Sequence, residues 1–275
     1  MKDKNNANGF LERIHEASFR IFTLGICLFL VIFIGGLLYC VVTHTTLEAM
    51  WESITSEELI FSLKMSVITA LISTALCLLA SVPAAYALAR YEFRGKSIVN
   101  TILDMPLALP PLVAGVGLLI IFGATPFGDF LAGAGLKFVF TPRGIVLAQF
   151  FVNLPFSLRI MRSSFDSISP RYEYVARTLG CTDGQVFARV ALPMAKNGII
   201  AGAVITWCRG IGEFGAALMI AGATRMMTET LPISLYLNMS CGDLHMAIAS
   251  ATILIMISVV SIFVFEYFSG STRML

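Results

Sequence analysis

Charge is what this 275-residue chain has least of. Lys, Arg, Asp and Glu make up 13% of it and apolar residues 57%, where an ordinary soluble domain carries about 25% charge. That composition excludes a water-soluble globular fold. The charges nearly cancel, 19 basic against 17 acidic, so no bulk field points to a nucleic-acid partner. Histidine is scarcer still: the three are scattered, none with a second histidine at helical spacing, and no metal centre is expected. The six cysteines (Cys27, Cys40, Cys77, Cys181, Cys208, Cys241) show no C-x-x-C spacing and fall mostly in apolar runs. They read as small buried hydrophobes rather than a disulfide framework. No Ser/His/Asp or Cys/His set suggests catalysis. Arg90 to Ser97 ends in Gly-Lys-Ser, but Arg90 stands where a phosphate-binding loop needs its first glycine, and no strand precedes it. The chain is therefore expected to be no enzyme and to carry no cofactor.

Long apolar runs are what it has in abundance. A helix needs roughly 20 apolar residues to cross the hydrocarbon, and six stretches qualify: about 20–43, 60–90, 98–123, 143–164, 194–222 and 244–268. Nothing resembles the alternating ten-residue strands of a barrel, and lipid offers the backbone no hydrogen bonds, so these spans must be helices. The polar start, residues 1–19, precedes an apolar run too long for a signal peptide and without a small-x-small cleavage site, which reads as a retained anchor. The expected fold is an all-α polytopic membrane protein: an N-terminal segment 1–19, a first anchor 20–43, and a core over 58–268.

Orientation follows from the basic residues of the loops. One side collects Lys2, Lys4, Arg13, Arg20, Arg90, Arg94, Lys96, Arg159, Arg162, Arg171, Arg177, Arg189, Lys196 and Arg273. The other holds Lys64, Lys137, Arg143 and Arg225, together with Glu48, Glu52, Glu57, Glu58, Asp129, Glu229 and Asp243. The positive-inside rule then places both termini in the cytoplasm.

Two spans carry features that a plain anchor does not need. Met105 to Gly117 contains Pro106, Pro110 and Pro111, which should kink or interrupt the third helix. The break serves either packing or the wall of a translocation path. Residues 123–142 then read as an outer loop or shallow re-entrant turn. In the fifth span, Arg209 and Glu213 are four apart, hence on one helical face, where the pair would offset the cost of charge in the bilayer. That pair is either structural or part of an anion path, and Thr206 is a candidate hydroxyl donor on the same span. Gly198, Gly202, Gly210, Gly212 and Gly215 give small-residue spacing suited to close helix packing, within the chain or between two copies.

Between the fourth and fifth spans lies Arg171-Tyr-Glu-Tyr-Val-Ala-Arg-Thr-Leu-Gly180, a polar, basic, helix-forming insert that leads to Leu192-Pro193. Asp183-Gly184 reads as the turn that ends its first helix, and Leu192-Pro193 as the start of the fifth span. Glu173 and Arg177 form an i,i+4 pair. The segment 169–193 resembles the EAA loop of ABC importer permeases in its Gly180 and Leu192-Pro193 spacing, with Val190 for the usual isoleucine. It departs from that pattern at Tyr174-Val175-Ala176, which stands where Glu-Ala-Ala is usual. With Leu109-Pro110-Pro111, the string Gly212-Glu-Phe-Gly-Ala216 and Thr230-Leu231-Pro232, the chain is similar to the molybdate/tungstate branch, with sulfate permeases close by.

The resemblance implies a permease subunit of an ATP-driven importer in a prokaryotic inner membrane, moving a tetrahedral oxyanion by alternating access. It implies a cytoplasmic coupling helix that docks on the ATPase through Glu173, Tyr174, Ala176, Arg177, Gly180, Asp183 and Gln185. It also implies a path near Pro110, Pro111, Thr206, Arg209 and Glu213. The implied partners are a second copy of the chain, two ATPases that carry ATP and Mg, and an extracytoplasmic oxyanion-binding protein. A sulfate or thiosulfate permease is the alternative. A membrane scaffold would not need the broken third span, and an ion-driven transporter would need more intramembrane carboxylate than Glu213.

Overall fold

The computed structural model describes residues 2–44 and 46–270 and is all helical among them. Arg273, used above for orientation, lies outside the described residues, as do the side chains of Lys2, Lys4 and Arg13. The chain divides into two compact units, Met1–Leu47 and Glu48–Leu275. The first is one continuous helix, α1 (Lys2–Thr43), so the polar start and the anchor form a single rod. Its apolar part, Ser18–Thr43, is long enough to span.

In the second unit a short α2 (Leu47–Thr55) precedes α3 (Glu57–Arg90). Ser56 caps α3 by accepting from the Leu59 amide. The third span is broken as the prolines predict: α4 (Lys96–Ala108) and α5 (Pro111–Gly123) meet at 109°. The outer loop contains a helix of its own, α6 (Pro126–Gly133), before α7 (Pro142–Asp166). Four helices are long and apolar enough to cross a membrane, or up to six if each bent pair is one span.

Pair contacts fix the helix directions. Gln149 of α7 reaches Thr69 of α3 at 3.2 Å, Ser157 reaches Ser81 at 2.7 Å, and Arg90 reaches the Phe165 carbonyl at 2.9 Å. The two helices therefore run parallel, which the reversal through α4 and α5 permits. On α3 the contact is made by small and hydroxyl-bearing residues at helical spacing, Thr69, Cys77 and Ser81, all buried, while Ser66 of the same helix accepts from the Leu231 amide. Small side chains let the backbones approach in lipid, where apolar burial drives little association.

The fifth span departs from expectation at both ends. It opens as α11 (Lys196–Ile211), stops, and resumes as α12 (Gly215–Ala221). Leu192-Pro193 lies in a separate turn, α10 (Leu192–Met194), and the run Asp183–Met194 meets α11 at 71°. A Cβ added at Gly198 would sit 2.3 Å from Ser164 Oγ, and one at Gly202 would sit 2.6 Å from Met161 Cε. Those glycines therefore serve the α7–α11 contact within this chain. The core closes with α13 (Leu231–Cys241) and α14 (Leu244–Gly270). Of the cysteines only Cys77 is buried; Cys27, Cys40 and Cys241 are exposed, so they are not the core residues expected, though all six are free thiols.

Candidate coupling site and translocation path

The insert after α7 folds into α8 (Arg171–Thr178), α9 (Asp183–Val186) and a five-residue π turn, Phe187–Ala191. Gly180 explains its own presence. Its φ of +87° is a left-handed conformation that favours glycine. The Gly180 amide donates to the Arg177 carbonyl at 3.0 Å and the Cys181 amide to the Ala176 carbonyl at 3.1 Å, the two bonds of a Schellman C-cap. Gly180 thus ends α8, a role expected of Asp183-Gly184. Asp183 instead opens α9, whose N-cap Thr182 exchanges hydrogen bonds with Gln185 in a capping box.

The docking set expected from the sequence divides into an inner and an outer group. Glu173 is 1% exposed and Ala176 8%, so neither forms the outer face; this corrects their assignment. Glu173 is the anchor of the loop. Its Oε1 accepts from Arg90 Nε at 2.6 Å and its Oε2 from the Tyr86 hydroxyl at 2.9 Å. Arg90 Nη2 also donates to the carbonyls of Phe165 and Ile168, at 2.9 and 3.0 Å. One buried guanidinium therefore ties the end of α3, the end of α7 and the first turn of α8 together. Tyr86 adds ring contacts, centroids 5.5 Å from Phe165 and 4.9 Å from Phe187 in the π turn. Arg177 approaches Glu173 only to 4.0 Å; its nearer partner is Asp183 at 2.9 Å.

The outer surface is apolar. Tyr172, Val175 and Leu179 are 56, 58 and 80% exposed at spacings of three and four, hence on one face of α8. Tyr174 is exposed beside them, and Arg177 packs over its ring. An apolar stripe on a loop otherwise dressed for water marks a contact surface. Sequence reading missed Tyr172, Val175 and Leu179, although an aromatic or aliphatic residue every three to four positions in a polar insert was the available signal.

The two breaks meet inside the bundle. A Cβ at Gly215 would lie 3.2 Å from Pro111 Cβ, and one at Gly115 would lie 2.7 Å from Ala216 Cα. The start of α12 thus sits against the start of α5. A helix interrupted in lipid must have its freed backbone groups satisfied by protein. Buried Gln149 donates from Nε2 to the Gly210 carbonyl at 2.8 Å, and Glu213 Oε1 accepts from the Ala216 amide at 2.9 Å. One side chain closes α11 and the other opens α12.

This arrangement separates Arg209 from Glu213. The expected face-sharing required a continuous helix, and the chain leaves helical geometry at Gly212. Among the described residues no ion pair joins the two. The Arg209 guanidinium lies over the Phe156 ring, 3.6 Å from its centroid. Thr206 is 1% exposed and its hydroxyl donates to the Gly202 carbonyl at 2.8 Å, so it faces no path in this conformation. Pro110 and Pro111 are exposed at the break. Glu213 is not the sole carboxylate of the apolar spans either: Asp104 of α4 pairs with Arg159 of α7 through two bonds of 2.8 and 3.0 Å.

Comparison with known proteins follows the same lines. Residues 78–273 match the family described as binding-protein-dependent transport system inner membrane component. The molybdenum transport system permease protein ModB of Mycobacterium tuberculosis is 35% identical over 229 residues, 83% of this chain and 86% of that one. The sulfate transport system permease protein CysT of Escherichia coli is 31% identical over 214 residues, 78% and 77% of the two chains. Among solved structures, a chain of a bacterial alginate ABC transporter, in complex with its alginate-bound periplasmic protein, superposes with a TM-score of 0.70 at 17% identity, covering 93% of each chain. The overall helical fold is thus shared, and the chain belongs to the binding-protein-dependent inner membrane component family, as a multi-pass permease subunit of the ABC importer type.

Proposed function

We propose that the chain carries a tetrahedral oxyanion, molybdate or tungstate first, into the cytoplasm of a prokaryotic cell. Two copies would form the path, with both termini and the loop 169–193 inside. ATP and Mg would act on two separate ATPase chains, and an extracytoplasmic binding protein would deliver the anion. Closure of the ATPases would draw the two loops together and reverse the access of the path. The observation that carries this reading is the α8 stripe of Tyr172, Val175 and Leu179 on a helix locked through Glu173 and Arg90 to two long spans. A surface made to be pushed needs rigid attachment behind it.

The oxyanion assignment is supported by the molybdenum permease relative and by the Gly212 to Ala216 string. The sulfate relative favours a second reading, sulfate or thiosulfate import, at slightly lower identity and coverage. The complex reconstituted with its ATPase and binding protein decides between them. Molybdate and tungstate should accelerate ATP turnover at lower concentration than sulfate. The reverse order would assign the chain to sulfate, and stimulation by no oxyanion would sink both readings.

A further inference from the structure

We propose that Arg209 is the group with which the transported dianion pairs midway across the membrane, and that the Phe156 ring is where its guanidinium rests between passages. This rests on the oxyanion reading above and adds to it the residue that meets the cargo.

The depth of Arg209 follows from helix arithmetic. It lies 13 residues beyond Lys196 along α11, about 20 Å at 1.5 Å per residue. Its neighbour Gly210 packs against Ala70, whose Cα would lie 3.5 Å from an added Cβ. Ala70 is 13 residues from the Glu57 end of α3 and 20 from the Arg90 end, about 20 and 30 Å. Both estimates put the guanidinium well inside the apolar layer, yet the residue is exposed on the surface of the chain. A charge at that depth facing lipid alone would be costly, and such residues face a protein interior or an aqueous cavity. The break in α11 supplies the opening. Gly212 is exposed, and three residues later Gly215 meets Pro111 at the break of the third span.

What Arg209 lacks matters as much as where it is. Its expected partner Glu213 is occupied with the Ala216 amide, and no carboxylate of the described residues lies within 4.0 Å of it. The guanidinium has a ring face and, among the described residues, no anion in direct contact. An arginine fork matches two oxygens of a tetrahedral oxyanion. The ring also makes release possible: the cation leaves the departing anion for the Phe156 face instead of standing bare, so binding stays weak enough for transit. In a two-fold pair of chains, two such guanidiniums would balance the two charges of one dianion.

The test uses the full complex in proteoliposomes with saturating molybdate-loaded binding protein, or sulfate-loaded if that is the cargo. Arg209→Gln should lower the maximal ATP-driven uptake rate by about tenfold or more, and Arg209→Lys, keeping charge without the fork, by about threefold. Phe156→Leu should prolong retention of tungstate by the ATPase-trapped complex and slow maximal uptake, which a purely structural ring would not do. Arg209→Gln uptake within about twofold of wild type would overturn the inference while leaving the importer reading intact. If that variant fails to assemble, Phe156→Leu decides, and unchanged retention with unchanged uptake overturns the proposal. A wild-type complex that moves no oxyanion would sink the underlying reading instead.

Discussion

Removing the carboxylate of Glu173 should do more damage than removing the carboxylate and its arginine together. Glu173 and Arg90 have side-chain exposures of 1 and 8%, with 2.6 Å between Oε1 and Nε. Breaking such a buried pair from one side costs about 3–5 kcal/mol, because the surviving charge is left without its counterion. Glu173→Leu leaves Arg90 still bonded to the carbonyls of Phe165 and Ile168, which places it near the lower limit, about 3 kcal/mol. Arg90→Met leaves Glu173 with the Tyr86 hydroxyl and a guanidinium at 4.0 Å, a comparable loss. The double variant removes both charges and should be more stable than either single one, with a coupling of about 2–3 kcal/mol within the range for contacting residues. The assay is a thermal unfolding series of the four proteins in one detergent, paired with uptake per ATP hydrolysed in the reconstituted complex. Both single variants should spend ATP with little uptake, because the loop no longer moves with α3 and α7. Additive losses in the double variant, or a Glu173→Leu protein with normal unfolding and normal coupling, would refute the claim that this pair locks the loop.

Other outcomes follow from the same geometry. Leu179→Asp, at a position 80% exposed, should abolish co-purification of the ATPase without lowering the unfolding temperature of the permease; retained ATPase would remove α8 as its dock. Gly115→Val should separate α5 from α12, since its Cβ would stand 2.7 Å from the Ala216 backbone, costing about 1–3 kcal/mol as overpacking and lowering uptake. Unfolding curves and transport rates equal to wild type would show that the two breaks need no close contact. The third outcome concerns pH. Glu229 is fully buried in the loop before α13, with Oε1 unpartnered and Oε2 accepting from the Met226 amide. Burial pushes its carboxyl above the ordinary range, and the nearby Glu58 charge pushes the same way. The folded chain then holds that proton more tightly than the unfolded chain. The associated stability is full below the ordinary Glu value and is lost as pH rises through the raised one. Glu229→Gln should flatten that decline and be the more stable protein at neutral pH, as unfolding temperatures across the window would reveal.

What the sequence made legible was set by hydropathy and by residues with one dominant conformational effect. Spans, the proline break of the third helix and the cytoplasmic-type insert all follow from length, charge and Pro110-Pro111. Gly180 could be placed by spacing, and its φ of +87° supplies the reason. Side-chain direction was less accessible. Glu173 and Leu179 both lie in a polar, basic insert, and hydropathy alone sends the acid outward and the leucine inward. The fold reverses both, because Arg90 arrives from a helix end more than 80 residues away and needs a buried anion. The hydroxyl and small residues along α3 were visible at helical spacing, but their meaning depended on which helix lay opposite.

The separation of Arg209 from Glu213 shows why periodicity fails where function is built. An i,i+4 argument holds only while the helix continues, and Gly210, Gly212 and Gly215 surround the acid with residues that weaken continuity. The acid stands one residue before the N-cap Phe214 and accepts from the Ala216 amide in the first turn of α12, where a carboxylate also meets the positive end of the helix dipole. Once Glu213 is read that way, the electrostatics of the span change. Its charge is engaged with the Ala216 amide of α12, while Gln149 neutralises the carbonyl end of α11 without adding charge. The break is held shut by groups that cannot serve Arg209. A continuous helix would have delivered a neutral pair, of use to packing alone. The interrupted one leaves a guanidinium stacked on an aromatic face, with no carboxylate of the described residues within 4.0 Å, and under the proposal above a diffusible anion is the partner that such a cation can both hold and give up.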